Sequence, residues 1–276
     1  MPLGELGNKV KNSLTGTIKG AGDVVDTTID ATRNTMTGAL RGAGDVVKTG
    51  TAAVGDVLSG ALEAANNVGA SATSVLKGSI IGLIQGLGEI TTVTAAVISD
   101  TVRAAIKGTQ QVGTDVADAT GTTVQGAIVA TKNMAIELQD AAFGVARGTI
   151  RGANDVGSDL AGTAKSAVRG SINGAREIGG DLTVAIQSTA SGLVAGTADV
   201  GGDVTTVARN AVVGAIQTAR ELGVDTSEAA SAAATGAVLG AQQVSQSTVK
   251  AVTEVVSGTI EGVKVVVKTP FKKAEE

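Results

Sequence analysis

A 22-residue sequence unit recurs along this chain without an insertion or deletion, and this register limits the possible folds more than any other feature. The array of twelve units covers residues 15–267, with the last unit partial, between a lead-in of residues 1–14 and a charged tail of residues 268–276. Such a period is typical of architectures that repeat one supersecondary unit. The units begin at Thr15, Thr37, Ser59, Ile81, Arg103, Gln125, Arg147, Arg169, Ser191, Val213, Thr235 and Ser257.

Each unit divides into two weaker 11-residue halves, as in TGTIKGAGDVV followed by DTTIDATRNTM. Eleven residues close three α-helical turns at about 3.67 residues per turn, so one face stays aligned over a long distance. The sequence therefore predicts an all-α fold: a very long or repeatedly bent amphipathic helix of 22-residue repeats, assembled side by side. An uninterrupted helix of 276 residues would be roughly 410 Å long.

Apolar side chains recur three and nine positions after the start of each unit. On a helical wheel they belong to a continuous apolar arc that covers nearly half of the helix. We expect this arc to face lipid or a protein core. Its candidate residues are Ile18, Val24, Leu40, Val46, Ile84, Ile90, Ile106, Val112, Ile128, Ile150, Val156, Ile172, Ile178, Val194, Val200, Ile216, Leu222, Val238, Val244 and Ile260.

Glycine also has a fixed place, one position after the start of every unit except the fifth, where Ala104 replaces it. Small residues four apart allow two helix backbones to approach closely. The G-x-x-x-G pairs predict such contacts, although glycine could instead serve only to weaken the helix. The pairs are Gly16/Gly20, Gly38/Gly42, Gly82/Gly86, Gly148/Gly152, Gly170/Gly174, Gly192/Gly196, Gly236/Gly240 and Gly258/Gly262.

Charged residues are sorted into a basic and an acidic edge of the polar face. A helix with two such edges is suited to lie beside copies of itself, so we expect lateral charge pairing. The alternative is a solvated face with pairs within one helix, each contributing only about 0.2–0.5 kcal/mol. The basic candidates are Lys19, Arg41, Arg147, Arg151 and Arg169, and the acidic ones are Asp23, Asp45, Asp155, Asp159, Asp181 and Asp203.

Two other backbone arrangements remain open. Val, Ile, Thr and Gly are weak helix formers, so a solenoid with 22 residues per coil is an alternative, although the strict alternation of β-strands is missing. The chain could also form short helices that break in each unit, because Gly-x-Asp resembles a C-terminal Gly followed by an N-cap Asp. This second model is less favoured, since its helices would be about nine residues long. The Gly-x-Asp segments are Gly113–Asp115, Gly157–Asp159, Gly179–Asp181, Gly201–Asp203 and Gly223–Asp225.

Composition argues against catalysis. The chain has no His and no Cys, which removes the commonest general base and metal ligand and the thiolate ligands. No phosphate-binding loop or nucleophile motif occurs, so we expect neither an enzyme nor a cofactor, metal or small-molecule substrate. The net charge of −4 predicts no nucleic-acid partner. Without a signal peptide or a transmembrane segment in the sequence, we expect a cytoplasmic protein, peripheral on lipid or in an intracellular assembly.

The stretch TGTIKGAGDVVDTTIDATRNTMTGALRGAGDVVKTGTAAVG resembles the 11-residue repeats of perilipins and α-synuclein and, more distantly, the exchangeable apolipoproteins. The resemblance extends over nearly the whole array and implies a chain that becomes helical on a lipid surface. An isolated helix with 39 glycines and an exposed apolar arc should not persist in water, so its order should depend on a surface or on self-association.

We therefore expect a structural protein whose helices coat a lipid droplet, membrane or lipid tubule and tile laterally. Its predicted partners are a lipid surface and other copies of the chain in a homo-oligomer or polymer. The alternative is a protein-only helical filament or bundle. An ice-binding or desiccation-protective helix is a minor alternative, because its Thr residues should keep one fixed position and here they are scattered.

Overall fold

The computed structural model describes residues 4–18, 23–41, 46–111 and 116–268. Within these residues the fold is all-α apart from one small hairpin, as the sequence predicts. The helices are α1 (Glu5–Thr17), α2 (Val24–Leu40), α3 (Val46–Val68), α4 (Ala72–Gly88), α5 (Ala95–Gln111), α6 (Val116–Ala130), α7 (Leu138–Asp155), α8 (Leu160–Ile178), α9 (Leu182–Asp199), α10 (Val204–Leu222), α11 (Thr226–Gln242) and α12 (Gln246–Val256), with a 3₁₀ turn at Thr131–Asn133 and strands β1 (Gly258–Ile260) and β2 (Val263–Val265).

The prediction of one uninterrupted helix is wrong for the described residues. At the junctions a Gly ends one helix and an Asp begins the next. At the α8–α9 junction Gly179 has a φ of +71°, and the Gly180 N–H donates to the Ala175 carbonyl oxygen at 2.8 Å. Asp181 then accepts from the N–H groups of Thr183 and Val184. Glycine takes the left-handed conformation without a Cβ clash, and the carboxylate satisfies free N–H groups of the next helix.

The helices between these junctions are longer than the nine residues expected of a broken chain. Helices α7–α11 have 17–19 residues each. Between α7 and α11 the left-handed glycines Gly157, Gly179, Gly201 and Gly223 recur every 22 residues, so each of these helices keeps about five turns. The Gly113–Asp115 segment lies outside the described residues.

Helices of odd number pack on one another in one layer, and helices of even number form a second layer. Each helix from α3 to α10 contacts its neighbours in sequence and the helices two before and two after it. The short junctions that the structure describes, such as the one at Gly179–Asp181, reverse the chain direction, so helices two apart within a layer run parallel. The core lies between the layers and between successive helices of one layer, and Ile128, Ile150 and Ile172 are fully buried there.

Several buried threonines are accommodated by hydrogen bonds within their own helices. The hydroxyl of Thr149 donates to the Val145 carbonyl oxygen at 2.8 Å, and that of Thr197 donates to Leu193 at 2.7 Å. Such bonds to the preceding turn satisfy a buried hydroxyl without a partner from another helix. The Thr content, which weakens an isolated helix, is therefore compatible with the core.

The array does not stay helical to its predicted end. Gly258–Val265 forms an antiparallel hairpin in which Thr259 pairs with Lys264. Glu261 and Gly262 have φ values of +51° and +76° and form its two-residue turn. The helical placement of Gly258, Ile260 and Gly262 is therefore wrong, because alternating β-branched residues flank a turn sequence here.

Candidate functional site

The predicted apolar arc faces the protein's own interior. The described residues three positions into a unit are buried, and from α4 to α11 they lie inside a helix, whereas those nine positions in lie near helix ends and are mostly half-buried. The buried set is Ile18, Leu40, Ile84, Ile106, Ile128, Ile150, Ile172, Val194, Ile216 and Val238, with Ile260 buried in β1, and the half-buried set is Val24, Ile90, Val156, Ile178, Val200 and Leu222.

Val244 differs from the other arc positions, because it is 43% exposed in the junction between α11 and α12. Helix α12 has only 11 residues, and the stack ends there. The side chain of Val46 and the whole of Val112 lie outside the described residues.

Ten of the predicted glycines lie where a helix contacts the one two before it. A Cβ built on Gly148 would lie 2.2 Å from the Ser99 carbonyl oxygen, and one on Gly236 would lie 1.9 Å from that of Gln187. These separations leave no room for a methyl group, so glycine sets the spacing between parallel helices. The same close approach, within 3.1 Å, occurs at Gly82, Gly86, Gly152, Gly170, Gly174, Gly192, Gly196 and Gly240.

The remaining predicted glycines do not make this contact. A Cβ on Gly16 or Gly38 would meet nothing within 4 Å, because α1 and α2 are the first helices of their layers. Gly258 and Gly262 are in the hairpin. Gly20 and Gly42 lie outside the described residues.

Ion pairs connect parallel helices of one chain, and a sequence separation of 52 residues recurs among them. Arg103 and Arg147 each form a two-point ion pair with an aspartate 52 residues later, at Nε–Oδ2 distances of 2.6 Å to Asp155 and to Asp199. Hydrogen bonds from these guanidinium groups hold the pKa of both carboxyls below its ordinary value. Arg151 also contacts Asp199, at 3.0 Å, and Arg169 lies 3.5 Å from Glu221.

The acidic partners include further residues of the acidic edge that the charge pattern predicts. Asp199 and Glu221 belong to this group, as does Glu177, which accepts from Gln125 at 2.8 Å. The signal was present in the sequence as a basic or polar residue followed 52 positions later by an acidic one. It shows only when residues two units apart are compared.

Several predicted pairing residues act as N-caps instead. Asp23, Asp159, Asp181 and Asp203 each accept from backbone N–H groups at the start of the next helix. Hydroxyl groups of Thr205 and Thr206, both at 2.6 Å, help to lower the pKa of Asp203 to about 2. Arg41 is an exposed residue at the end of α2, and Lys19 and Asp45 lie outside the described residues.

Open clefts occur on the described surface. One, of about 870 Å³, lies at the junctions after α4 and α6, and its walls include Arg33, Glu89 and Met134. Another, of about 610 Å³, crosses α7, α9 and α11. Among the described residues, no group of three or more acidic, His or Cys side chains is placed to hold a metal ion.

The helices that the structure describes include none with both the length and the apolar character needed to cross a membrane. No protein-family model matches the chain. A search of curated proteins also finds no significant match.

Proposed function

We propose that this chain is a non-catalytic structural protein, a helical solenoid of 22-residue units in which each unit contributes one helix and one junction. The observation that carries this proposal is the burial of the apolar arc by the chain's own helices. Every helix from α3 to α10 packs on a helix two before it and a helix two after it in the same layer. The stack therefore satisfies its own apolar surface.

Contacts between neighbouring helices supply the order that a single helix of this composition lacks. Burial of a Val or Ile side chain contributes about 1.5–3 kcal/mol, and each mid-helix position of the arc supplies one such residue. Close approach at glycine brings many backbone atoms into contact. These gains offset the cost of about 1 kcal/mol for each glycine inside a helix.

Polar outer faces at both ends support a self-contained molecule. The exposed residues of α1 include Asn8, Lys9 and Asn12, and those of α12 include Gln246 and Lys250. Terminal units with a polar outer face keep repeat proteins soluble. A stack of this kind would present polar surfaces at a regular helix spacing of about 8–10 Å, as a scaffold or spacer does.

A lipid-surface protein is the second candidate, and amphipathicity favours it. The residues that form the core, such as Ile150, Ile172 and Val194, are the same ones that would enter the acyl region of a lipid surface. Because they are buried within the chain, lipid coating would require the layers to separate. The glycines at the junctions would be the hinges of such an opening.

Circular dichroism and sedimentation of the lipid-free chain distinguish the two candidates. The scaffold should be helical in water, melt cooperatively and sediment as a monomer at micromolar concentration. Adding neutral vesicles or oil droplets should leave both its helicity and its sedimentation unchanged. If the chain is largely unfolded in water and gains helix on vesicles, the scaffold proposal is wrong and the lipid-surface proposal is supported. Large lipid-free polymers would favour a filament.

A further inference from the structure

The side of α11 that carries Ser231 and Thr235 corresponds to a surface with which other helices of the odd layer hold the next helix. Gln187 and Ser191 have the same places on α9, two 22-residue units earlier. Cβ atoms built on two glycines of α11 would lie 1.9 Å from the Gln187 carbonyl oxygen and 2.5 Å from that of Ser191. The equivalent surface of α11 is therefore suited to receive a closely packed helix.

The C-terminal hairpin of the chain covers this surface of α11. The N–H of Val266 donates to Ser231 Oγ at 3.2 Å, and the N–H of Lys268 donates to Thr235 Oγ1 at 3.0 Å. Strand β2 packs on α11, and its Val265 is buried. The hairpin therefore stands where a further helix of the odd layer would lie.

This hairpin is a weak cover, and its attachment to the chain is what holds it in place. Each of its strands has three residues, and a two-stranded hairpin by itself is at best marginally stable in water. Its turn also requires a φ of +51° at Glu261, which is uncommon for a residue with a Cβ. The short connection to α12 gives the hairpin an effective concentration on the order of millimolar at its surface.

The opposite end of the stack presents a helix that matches the covered surface. Helix α1 is the first of the odd layer, and its Gly16 has the same place in its unit as Gly236. Gly236 packs on α9, whereas a Cβ on Gly16 would meet nothing within 4 Å. Because α1 contacts α2 as α11 contacts α12, placing α1 on α11 brings α2 beside α12 and continues both layers.

We propose that the hairpin is a removable cap over the Ser231 side of α11, and that α1 of a second copy takes its place when the hairpin opens. This contact joins the C-terminal end of one copy to the N-terminal end of the next, so it can repeat along a polymer. The closed cap keeps the natural chain a monomer. The proposal rests on the proposed solenoid, which the helicity and sedimentation of the natural chain test separately.

Substitutions in the turn test the cap in the full chain. Gly262→Val should open it, because valine is disfavoured at a φ of +76°. The average mass in sedimentation should then rise more than about three-fold as the concentration increases to about 0.1 mM, which is below the effective concentration of the tethered hairpin. The matched variant Glu261→Asn should remain a monomer, since Asn-Gly favours a two-residue hairpin turn.

A second substitution tests whether α1 is the occupant. Adding Gly16→Arg to Gly262→Val should return the opened chain to a monomer, because a Cβ at Gly16 meets nothing in its own copy and the arginine obstructs only another copy. Faster hydrogen exchange at the Val266 amide verifies that the cap is open, and circular dichroism verifies that the helices remain. If Gly262→Val leaves the cap closed, Val265→Lys opens it by placing a charge at a buried site.

Three results overturn the proposal. The first is an opened chain that is still a monomer at the highest concentration. The second is a mass that stops at a dimer, which would mean that two α11 surfaces pack on each other. The third is assembly that persists with Gly16→Arg, which would exclude α1 as the helix that replaces the hairpin.

Discussion

At the residue scale, two kinds of glycine have different physical roles in this protein. Glycines inside helices, such as Gly236, allow a parallel helix to approach to a distance that no Cβ permits. Glycines at junctions, such as Gly223 with its φ of +68°, take a left-handed conformation that other residues adopt only at a cost. Because one kind is required by a neighbouring helix and the other by its own backbone conformation, substitution separates them.

Gly236→Ala should destabilise the chain by about 1–3 kcal/mol, because the new methyl group would overlap the Gln187 carbonyl oxygen, 1.9 Å away. The matched control is Gly38→Ala, where a Cβ meets nothing within 4 Å. That control should gain up to about 1 kcal/mol from helix propensity. Urea unfolding of both variants measures the difference, and equal effects would contradict the packing role of Gly236.

Asp203→Ala should cost about 1 kcal/mol at pH 7, because the variant loses the N-cap of α10. Asp203→Asn keeps a capping oxygen but no titrating group. The pKa of Asp203 is about 2 in the folded chain, against 3.8 as its ordinary value. Its ionised form therefore contributes stability fully above pH 3.8, and this contribution is lost as the pH falls toward 2.

The advantage of the natural chain over Asp203→Asn should accordingly be constant above about pH 5 and disappear near pH 2. Urea unfolding at several pH values measures it. A difference that does not change across this range would show that the charge of Asp203 has no part in stability.

At the element scale, the junction between helices belongs to the repeated unit. Gly179 ends α8, Asp181 caps α9, and the same arrangement at Gly223 and Asp225 joins α10 to α11. A turn that recurs inside each unit leaves no insertion in the sequence register. Unbroken register therefore does not distinguish one continuous helix from a series of hairpins.

Gly179→Ala should destabilise the chain by about 1–2 kcal/mol, because alanine is strained at a φ of +71°. Gly179→Asn should cost less, since Asn tolerates the left-handed conformation better than Ala. Thermal unfolding followed by circular dichroism ranks the three chains. A continuous helix through this junction would instead be stabilised by alanine.

At the scale of the whole molecule, most contacts link helices one or two apart, with the Lys77–Glu177 ion pair between α4 and α8 as an exception. The stack should therefore tolerate loss of one hairpin. Removing Glu137–Gly180 takes out α7 and α8 and joins Ile136 to Asp181, which remains as an N-cap. The shortened chain would bring Asp199 to Arg103 and Gly192 to Ser99, at the places that Asp155 and Gly148 occupy.

This shortened chain should stay helical and unfold cooperatively, with a lower midpoint than the natural chain. Removing Leu138–Gly170 is the control, because that deletion ends within α8 and leaves a partial helix. Circular dichroism and urea unfolding compare the two. Loss of folding in both chains would show that contacts beyond two helices hold the structure.

Much of the architecture could be predicted from the sequence, and particular residues show which features could not. The phase of Ile150 and Ile172 within the 11-residue period predicted an apolar helix face, and both side chains are buried. Gly148 and Gly192 were predicted to make close helix contacts, and both lie against a helix two before them. The break at Gly179 was one of several possible arrangements, because Gly-x-Asp has helical and non-helical uses.

The sequence by itself determined the helical class and the apolar, glycine and charged faces of each helix, since these depend on local periodicity. Only the tertiary structure decided what covers the apolar face. The sequence period predicts which side of a helix is apolar. It does not predict whether lipid, a second copy or the same chain lies against that side. Here left-handed glycines such as Gly179 and Gly223 return the chain on itself. The apolar face therefore packs against other helices of the same chain. The Arg147–Asp199 ion pair between α7 and α9 is one of the contacts that hold these helices together.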